Sequence, residues 1–355
     1  MNLEEAFNKS WYGKGIWTYL FYPLKPLVSY LVYRKRRHYL ATQSKNKHFF
    51  VPIIVVGNIT VGGTGKSPMV LALVKALKEA GYCPGIVSRG YGIDASEPLD
   101  VYSESLAKER GDEPVMLAKK AGCPVVICRD RVKAVSHLLK GSSVDVVISD
   151  DGMQHYTLER DVEILMLDAE RGLGNGQLLP IGPLREPISR LQEVDFVATL
   201  VPQSQDQQIM PSKVLAINNK LIEGLLIVPL KADYIVNVQT GEKREIDFLK
   251  TQENWYVMAG IGNPERFLNT LQINGLTSYE CHWFSDHHDF QLNDFPVDAH
   301  VIMTEKDAVK CRELATSNPN LWYLSVGIEL PNTFKTRLFN KLEKIQQCIN
   351  DNGEK

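Results

Sequence analysis

The length, composition and charge of the chain are those of a folded protein of ordinary size. Its 355 residues, 44% hydrophobic and 23% charged, suffice for two domains with apolar cores and exclude a largely disordered protein. Forty basic residues oppose forty-two acidic ones, so a net charge of -2 gives no overall positive field for nucleic acid. The six cysteines form no Cys-x-x-Cys pair, which is typical of a reducing compartment rather than of a secreted protein.

The N-terminal segment is the first predicted element. Apolar residues recur at helical spacing over residues 16–32, and four basic residues follow at 34–37, so we predict an amphipathic helix. Pro23, Pro26 and the short length argue against a transmembrane span and favour a segment in the membrane interface. Basic residues beside it suit anionic lipid. The alternative is a helix packed into the folded core.

A phosphate-binding loop follows the first predicted strand. Residues 55–67 read VVGNITVGGTGKS, an apolar run that ends in a glycine-rich turn and then Gly-Lys-Ser. Glycines let backbone N–H groups approach phosphate oxygens, Lys66 would reach the β- and γ-phosphates, and the Ser67 hydroxyl would bind magnesium. The opening glycine of the strict pattern is replaced by Thr60, so this is a variant P-loop. The predicted nucleotide-binding residues are Thr60, Val61, Gly62, Gly63, Thr64, Gly65, Lys66 and Ser67.

Beyond the P-loop, apolar strands alternate with helical stretches, which predicts a doubly wound, mostly parallel α/β sheet. The predicted strands are 53–56, 85–87, 125–128, 144–148, 164–167, 195–200 and 214–217, with helices at 69–79 and 113–121. A second, smaller α/β unit has strands at 255–259 and 300–303 and helices at 264–271, 306–314 and 333–349. We therefore divide the chain into an N-terminal membrane-interface helix (1–38), a P-loop domain (39–230) and a smaller C-terminal α/β domain (231–355).

An acidic pair and a long loop indicate where the chemistry lies. Asp150 and Asp151 follow the apolar run VDVVIS, at the carboxyl end of a buried strand, where ligands bind in open α/β sheets. This placement predicts a Walker B site for Mg²⁺ opposite Ser67; a helix N-cap is the alternative. The Gly- and Pro-rich stretch over 168–186 is too long for an idle turn, and such loops usually carry function.

Further polar clusters are weak signals when each is taken alone. They are SRGYG at 88–92, GDEP at 111–114, Arg129 with Arg131, Gln154 with His155, and DHHD at 286–289. Asp112 could simply cap a helix, and His287 could be a surface histidine. The DHHD run is not expected to bind zinc, because adjacent side chains diverge and no spaced third ligand follows.

Together these motifs resemble one family. The segments GNITVGGTGKSP, SRGYG, GDEP, DDGMQH, RGLGNGQLLPIGPLREP, AGIGNPERF, DHH and TEKDAVK occur in the order found in tetraacyldisaccharide 4'-kinases. The resemblance runs from Trp11 to about Lys310. It implies an ATP-dependent kinase that forms lipid IVA in lipid A biosynthesis by phosphorylating the 4'-hydroxyl of a tetraacyldisaccharide 1-phosphate. It also implies Mg²⁺, an acylated lipid substrate and a peripheral location on the cytoplasmic face of the bacterial inner membrane, with no protein partner evident.

The resemblance also implies roles for particular residues. Asp112, oriented by His287 from the second domain, would activate the sugar hydroxyl; His288 is the alternative partner. Lys66 would act in catalysis, and Ser67, Asp150 and Asp151 would hold the metal. The predicted substrate-binding residues are Arg131, Gln154, His155, Asn175 and Arg185.

Two other functions fit a P-loop. A GTPase or metallochaperone-type switch usually carries Asn-Lys-x-Asp, and the nearest segment here, TEKD at 304–307, lacks both the Asn and the spacer. A P-loop kinase for a soluble metabolite would give the N-terminal helix no task.

Overall fold

One continuous sheet organises the molecule. A computed structural model describes residues 3–13, 15–42, 49–203, 224–252, 254–296 and 299–353. The strand predicted at 214–217 lies outside these residues. The strands are β1 (Ile53–Gly57), β2 (Pro84–Ser88), β3 (Leu99–Val101), β4 (Val125–Ile127), β5 (Val146–Asp150), β6 (Val162–Asp168), β7 (Phe196–Pro202), β8 (Leu226–Asn237), β9 (Lys243–Arg244), β10 (Trp255–Ala259), β11 (Tyr279–Trp283), β12 (Val301–Thr304) and β13 (Leu321–Ile328).

The strand order confirms the predicted fold class. It runs β11-β10-β12-β13-β8-β7-β6-β1-β5-β2-β4-β3, and β9 pairs with β8. All neighbours are parallel except β3 with β4, β8 with β13 and β8 with β9. We call β1–β7 the first half and β10–β13 the second half. The long strand β8 joins them, because 226–230 pair with β7 and 230–237 with β13.

Helices cover both faces of the sheet. They are Lys66–Glu79, Ala107–Arg110, Asp112–Ala121, Arg131–Gly141, Phe248–Thr251, Pro264–Ile273, Glu305–Lys310 and Asn332–Gly353. Strand β1 is buried along its whole length and sends alternate side chains into two cores, since Ile54 and Val56 lie in one cluster and Ile53 and Val55 in the other. The C-terminal helix also packs on the first half, where the Phe334 ring lies 4.7 Å from that of Phe196.

The N-terminal segment differs from the single helix predicted over 16–32. It forms a helix at Leu3–Tyr12, a 3₁₀ helix at Trp17–Leu24 and a helix at Lys25–Thr42. Pro23 has no N–H for a helical bond, whereas Pro26 suits a first helical turn, so the longer helix begins between them. Its basic residues at 34–37 consequently lie within the helix rather than after it.

Large apolar side chains of this segment face outward. Ile16 is 77% exposed and Leu20 81%, and Leu27 and Leu31 are also exposed. No helix in the described ranges combines the length and apolar content required to cross a bilayer.

Candidate active site

The P-loop connects β1 to the helix that starts at Lys66, as predicted. Gly62 (φ 101°) and Gly65 (φ 88°) adopt backbone angles that favour glycine, which is what lets the chain turn so tightly before the helix. A Pro-rich loop supports it from behind, because the N–H of Val61 donates to the carbonyl of Pro183 at 2.9 Å. The first N–H groups of this helix have no acceptor within the helix, and the helix dipole is positive at this end, so the two together favour an anion.

Lys66 and the acidic pair meet in front of this loop. The Lys66 Nζ lies 3.2 Å from Asp151 Oδ1 and 3.5 Å from Asn58 Oδ1. Burial would raise the pKa of Asp151, but Lys66 and then Arg185 outweigh it, so the pKa is lowered. Asp151 therefore carries a negative charge beside the phosphate loop.

Asp150 ends β5 and is fully buried. Its Oδ2 accepts a hydrogen bond from Ser88 at 3.2 Å, and its Oδ1 is a buried acceptor without a hydrogen-bond partner among the described residues. Burial, reinforced by the nearby Glu113 carboxylate, raises the pKa of Asp150 to about 7. Such an oxygen needs a cation or a donor to stabilise it.

Magnesium fits this arrangement of oxygens. The Ser67 hydroxyl, Asp150 and Asp151 supply hard oxygen ligands, and Mg²⁺ is typically held by one or two carboxylates together with waters and substrate phosphates. The described part of the chain has no group of three or more His, Cys, Asp or Glu side chains set to enclose a metal alone. The Ser67 hydroxyl donates a short hydrogen bond to Glu113 Oε1, a residue the sequence analysis did not select.

The structure brings together Asp112 and His287, which are 175 positions apart. Asp112 begins a helix and its Oδ1 accepts its neighbour's N–H at 2.8 Å, while Oδ2 lies 3.0 Å from His287 Nδ1. His287 has a φ of 61° and its ring stacks on Tyr91 at 4.7 Å. The other candidate, His288, pairs with Asp294 instead. The alternative partner for Asp112 is therefore wrong.

Charges around this pair keep Asp112 ionised. Burial would raise the pKa of Asp112, yet the hydrogen bond from His287 and the ammonium groups of Lys306 and Lys310 outweigh it, so the pKa is lowered. The pKa of His287 is raised, chiefly by its hydrogen bond to Asp112. Both lysines belong to the TEKDAVK motif. The sequence alone predicted no role for either of them.

The predicted substrate-binding residues Arg131 and His155 lie beneath the acidic pair. Arg131 is 2% exposed and donates to the carbonyls of Cys128 at 3.1 Å and Asp151 at 3.5 Å. Burial lowers its pKa to about 10. Burial, aided by the charge of Arg131, lowers the pKa of His155 to about 4, so its imidazole is neutral. The His155 Nε2 accepts a hydrogen bond from the backbone N–H of Arg131 at 3.3 Å.

The other three predicted residues are in the Gly- and Pro-rich loop or against it. Gln154 donates to Glu186 at 2.7 Å, and Asn175 donates within its own loop to Ile181 at 2.9 Å. Arg185 instead points towards the acidic pair, with Nη1 3.8 Å from Asp151 Oδ2. Of these three residues, Arg185 is therefore the one whose side chain is placed to bind a phosphate.

The second half also contacts the P-loop. A Cβ on Gly262 would stand 3.3 Å from the backbone N of Gly63, so the two loops touch where no side chain intervenes. Arg171 donates to the Gly262 carbonyl at 2.8 Å, and Asn263 donates to Asp168 at 3.1 Å. The sequence alone does not reveal these contacts, although Gly262 and Asn263 belong to the segment AGIGNPERF.

The N-terminal segment reaches the same loop. Tyr12 Oη donates to the Val61 carbonyl at 3.2 Å, and the Trp11 indole N–H donates to the Pro180 carbonyl at 3.0 Å. The Arg171 guanidinium lies 5.2 Å from the centre of the Tyr12 ring. The first helix is thus attached directly to the candidate nucleotide site.

Comparison with known proteins identifies the family. A family model described as LpxK, tetraacyldisaccharide-1-P 4'-kinase, matches residues 17–343. The chain belongs to this family. A tetraacyldisaccharide 4'-kinase from Tolumonas auensis is 42% identical over 96% of this chain and 98% of its own length, and one from Pseudomonas putida is 42% identical over 92% of each.

A solved structure supports both the fold and the family. LpxK from Aquifex aeolicus, crystallised as an "apo" form in complex with ATP, is 27% identical, covers 93% of this chain and 99% of its own, and has a TM-score of 0.72. The predictions of fold class, family and an ATP-dependent kinase are thereby confirmed. A GTPase switch and a soluble-metabolite kinase are set aside.

Proposed function

We propose that this protein transfers the γ-phosphate of ATP to the 4'-hydroxyl of a tetraacyldisaccharide 1-phosphate and so forms lipid IVA. One observation carries the proposal: the Asp112–His287 pair lies next to the P-loop, since Glu113, the neighbour of Asp112, accepts the Ser67 hydroxyl hydrogen bond. A phosphate site and a base for an alcohol thus share one edge of the sheet.

Charge neutralisation falls to the P-loop side. Lys66 and the loop N–H groups would bind the β- and γ-phosphates, and Ser67, Asp150 and Asp151 would hold Mg²⁺. Magnesium, when bound, neutralises charge on the phosphate oxygens. Lys66 would exchange its ion pair with Asp151 for the nucleotide, which frees that carboxylate. Arg185 would stabilise the transferred phosphoryl group from the opposite side.

Proton transfer falls to Asp112. As the new bond from the sugar oxygen to phosphorus forms and the bond to ADP breaks, the hydroxyl proton passes to the Asp112 carboxylate. A carboxylate of low pKa is a weak base, which suits a loose transition state in which the proton leaves late. The N–H of His287 Nδ1 keeps the carboxylate oriented. Arg131, Gln154, His155 and Asn175 would act by shaping the acceptor side, because their polar groups are bonded within the protein.

We further propose a peripheral position on the cytoplasmic face of the inner membrane. Exposed Ile16, Leu20, Leu27 and Leu31 offer an apolar surface to lipid, and these exposures disfavour a core helix. Attachment would hold the site in the layer that contains the acylated acceptor. Closure of the C-terminal domain (231–355) over the P-loop domain (39–230) would then exclude water.

The test uses γ-labelled ATP and the full-length protein in mixed micelles with a tetraacyldisaccharide 1-phosphate. We expect label in the lipid, little label in inorganic phosphate, and weaker transfer from GTP. An equimolar Asp112→Asn variant is the matched control and should bind ATP but label the lipid at least about 100-fold more slowly. Label appearing only as free phosphate, or on a soluble sugar as readily as on the lipid, would contradict the proposal.

A further inference from the structure

A lysine of the TEKDAVK motif contacts both His287 and Asp112. The helix Glu305–Lys310 places Lys306 Nζ 3.4 Å from His287 Nε2 and 3.9 Å from Asp112 Oδ2. Asp286 Oδ1 holds the same ammonium at 3.1 Å. The Lys306 side chain is 17% exposed, so these three neighbours fix its position.

The Lys306 ammonium group determines which nitrogen of the His287 ring carries the proton. Lysine offers only donors, so the His287 nitrogen that it meets, Nε2, must accept. The ring proton then sits on Nδ1, the atom that lies 3.0 Å from Asp112. A proton on Nε2 would instead point at a cation, which costs energy in a partly buried site. Lys306 therefore favours one tautomer, and it opposes the rise in the pKa of His287.

We propose that Lys306 is a positioning residue for the Asp112–His287 pair: it holds His287 as the Nδ1–H tautomer, with its N–H directed at the base. The inference rests on the proposed function, in which Asp112 accepts the hydroxyl proton. It adds a third member to the pair and gives the TEKDAVK motif a role. The lysine acts through His287 and has no bond to form or break itself.

Lys310 provides an internal comparison. Its Nζ lies 4.0 Å from Asp112 Oδ2, nearly the same distance as that of Lys306. Its other contacts are an ion pair with buried Asp307 at 2.7 Å and the ring of Phe290 at 4.9 Å, rather than His287. The two ammonium groups thus lie at nearly the same distance from the Asp112 carboxylate, and of the two it is Lys306 that contacts the histidine ring.

A double-mutant cycle tests the inference with the full-length enzyme. Lys306→Met should lower kcat about 10- to 100-fold, the usual loss for a group that orients a reacting one, with KM for ATP nearly unchanged. Lys306→Arg should recover much of the loss because it restores the donor. In a His287→Ala background, Lys306→Met should change kcat less than about twofold, since the ring through which it acts is gone.

Each other outcome has a definite meaning. If the losses from Lys306→Met and His287→Ala multiply, the lysine acts independently of the ring and the inference is wrong. Equal kcat losses in Lys306→Met and Lys310→Met would mean that charge near Asp112 is all that matters. Thermal unfolding of every variant separates kcat losses from misfolding. The Lys310→Met variant is a separate comparison and is not part of the double-mutant cycle. A wild-type enzyme that fails to label lipid would refute the proposed function, whereas an active enzyme with an active Lys306→Met variant would refute only the inference.

Discussion

Three aspartates at the site differ in charge because their partners differ. Asp151 has Lys66 at 3.2 Å and Asp112 has His287 at 3.0 Å, and the pKa of each carboxyl is lowered despite burial. Among the described residues, Asp150 has only the neutral Ser88 hydroxyl as a hydrogen-bond donor, and burial raises its pKa to about 7. Ion pairing therefore keeps Asp112 and Asp151 charged, whereas burial favours the neutral form of Asp150.

The Asp112→Asn variant tests whether Asp112 accepts the hydroxyl proton. The amide keeps the shape of the side chain but cannot accept the hydroxyl proton, so we expect kcat to fall about 10²- to 10⁴-fold. Binding of ATP, measured by calorimetry, should change little. A variant that retains more than half of the wild-type kcat would show that another group takes the proton.

The Asp112–His287 pair should make the stability of the fold depend on pH. The pKa of Asp112 is lowered from its ordinary 3.8, so its contribution is present above that value and lost as pH falls. The pKa of His287 is raised from its ordinary 6.5, so its contribution is complete below that value and lost as pH rises through the folded-state pKa. The pair therefore stabilises the fold most between 3.8 and 6.5.

The measurement is the Tm difference between wild type and His287→Ala across this range. The difference should be largest near about pH 5.5 and smaller near about pH 9. Asp112→Asn should give a parallel curve, since it removes the other half of the pair. A difference that stays constant from acid to alkaline pH would contradict the ion pair.

At the scale of elements, the N-terminal segment divides its side chains between two tasks. Arg36 is 16% exposed and forms an ion pair with Glu193, which Arg190 also contacts at 3.2 Å. Arg34, Lys35 and Arg37 are exposed. The sequence suggested that all four basic residues serve lipid, but the structure turns one of them inward to attach the helix to the first half.

The outward basic residues are expected to bind anionic lipid. Replacing Arg34, Lys35 and Arg37 by Gln should weaken binding to anionic vesicles by about 1 kcal/mol per charge, and high salt should have the same effect on wild type. Co-sedimentation measures the loss. Arg36→Gln is the matched control, which should lower Tm with a smaller effect on sedimentation; the reverse ranking would contradict the division of tasks.

The apolar side chains of this segment provide a separate prediction. Leu20→Ser with Leu27→Ser and Leu31→Ser should release the protein from neutral vesicles and raise KM for the lipid, while KM for ATP stays within about twofold, because attachment concentrates enzyme with acceptor. This variant keeps Trp11 and Tyr12, so the contact with the P-loop survives. An unchanged lipid KM together with unchanged sedimentation would show that the apolar surface has no membrane role.

Sequence reasoning succeeded where local chemistry decides the structure. The strands read as continuous apolar runs because parallel strands are buried on both faces, and Gly65 before Lys66 marks the start of a helix. It failed at 16–32, where helical spacing outweighed the signal of Pro23. It also left out Glu113 and Lys306, since their roles come from partners far away in sequence, which only the fold brings near.

At the scale of the whole molecule, the two halves meet at the P-loop through backbone. Gly262 lies so close to Gly63 that an added Cβ would stand 3.3 Å from its N and 3.5 Å from the Cα of Gly62. The second half therefore borders directly on the groups that would bind phosphate.

Gly262→Val tests this contact. The added side chain should push the two loops apart, raise KM for ATP and lower kcat, while the rest of the fold stays intact. Gly141→Ala is a matched control, because no atom of the residues that the structure describes lies within 4 Å of a Cβ at that position. Wild-type kinetics in the Gly262 variant would mean that the halves do not need this close approach.

The contacts of Trp11 and Tyr12 have a consequence for the order of events during synthesis. These side chains are made before their partners, the carbonyls of Pro180 and Val61, and Pro180 follows them by well over a hundred residues. The first helix cannot make its contact with Pro180 until the chain has been translated beyond that residue. Until then, the apolar side chains that follow it are available to a lipid surface, so a nascent chain can reach the bilayer before its nucleotide site exists.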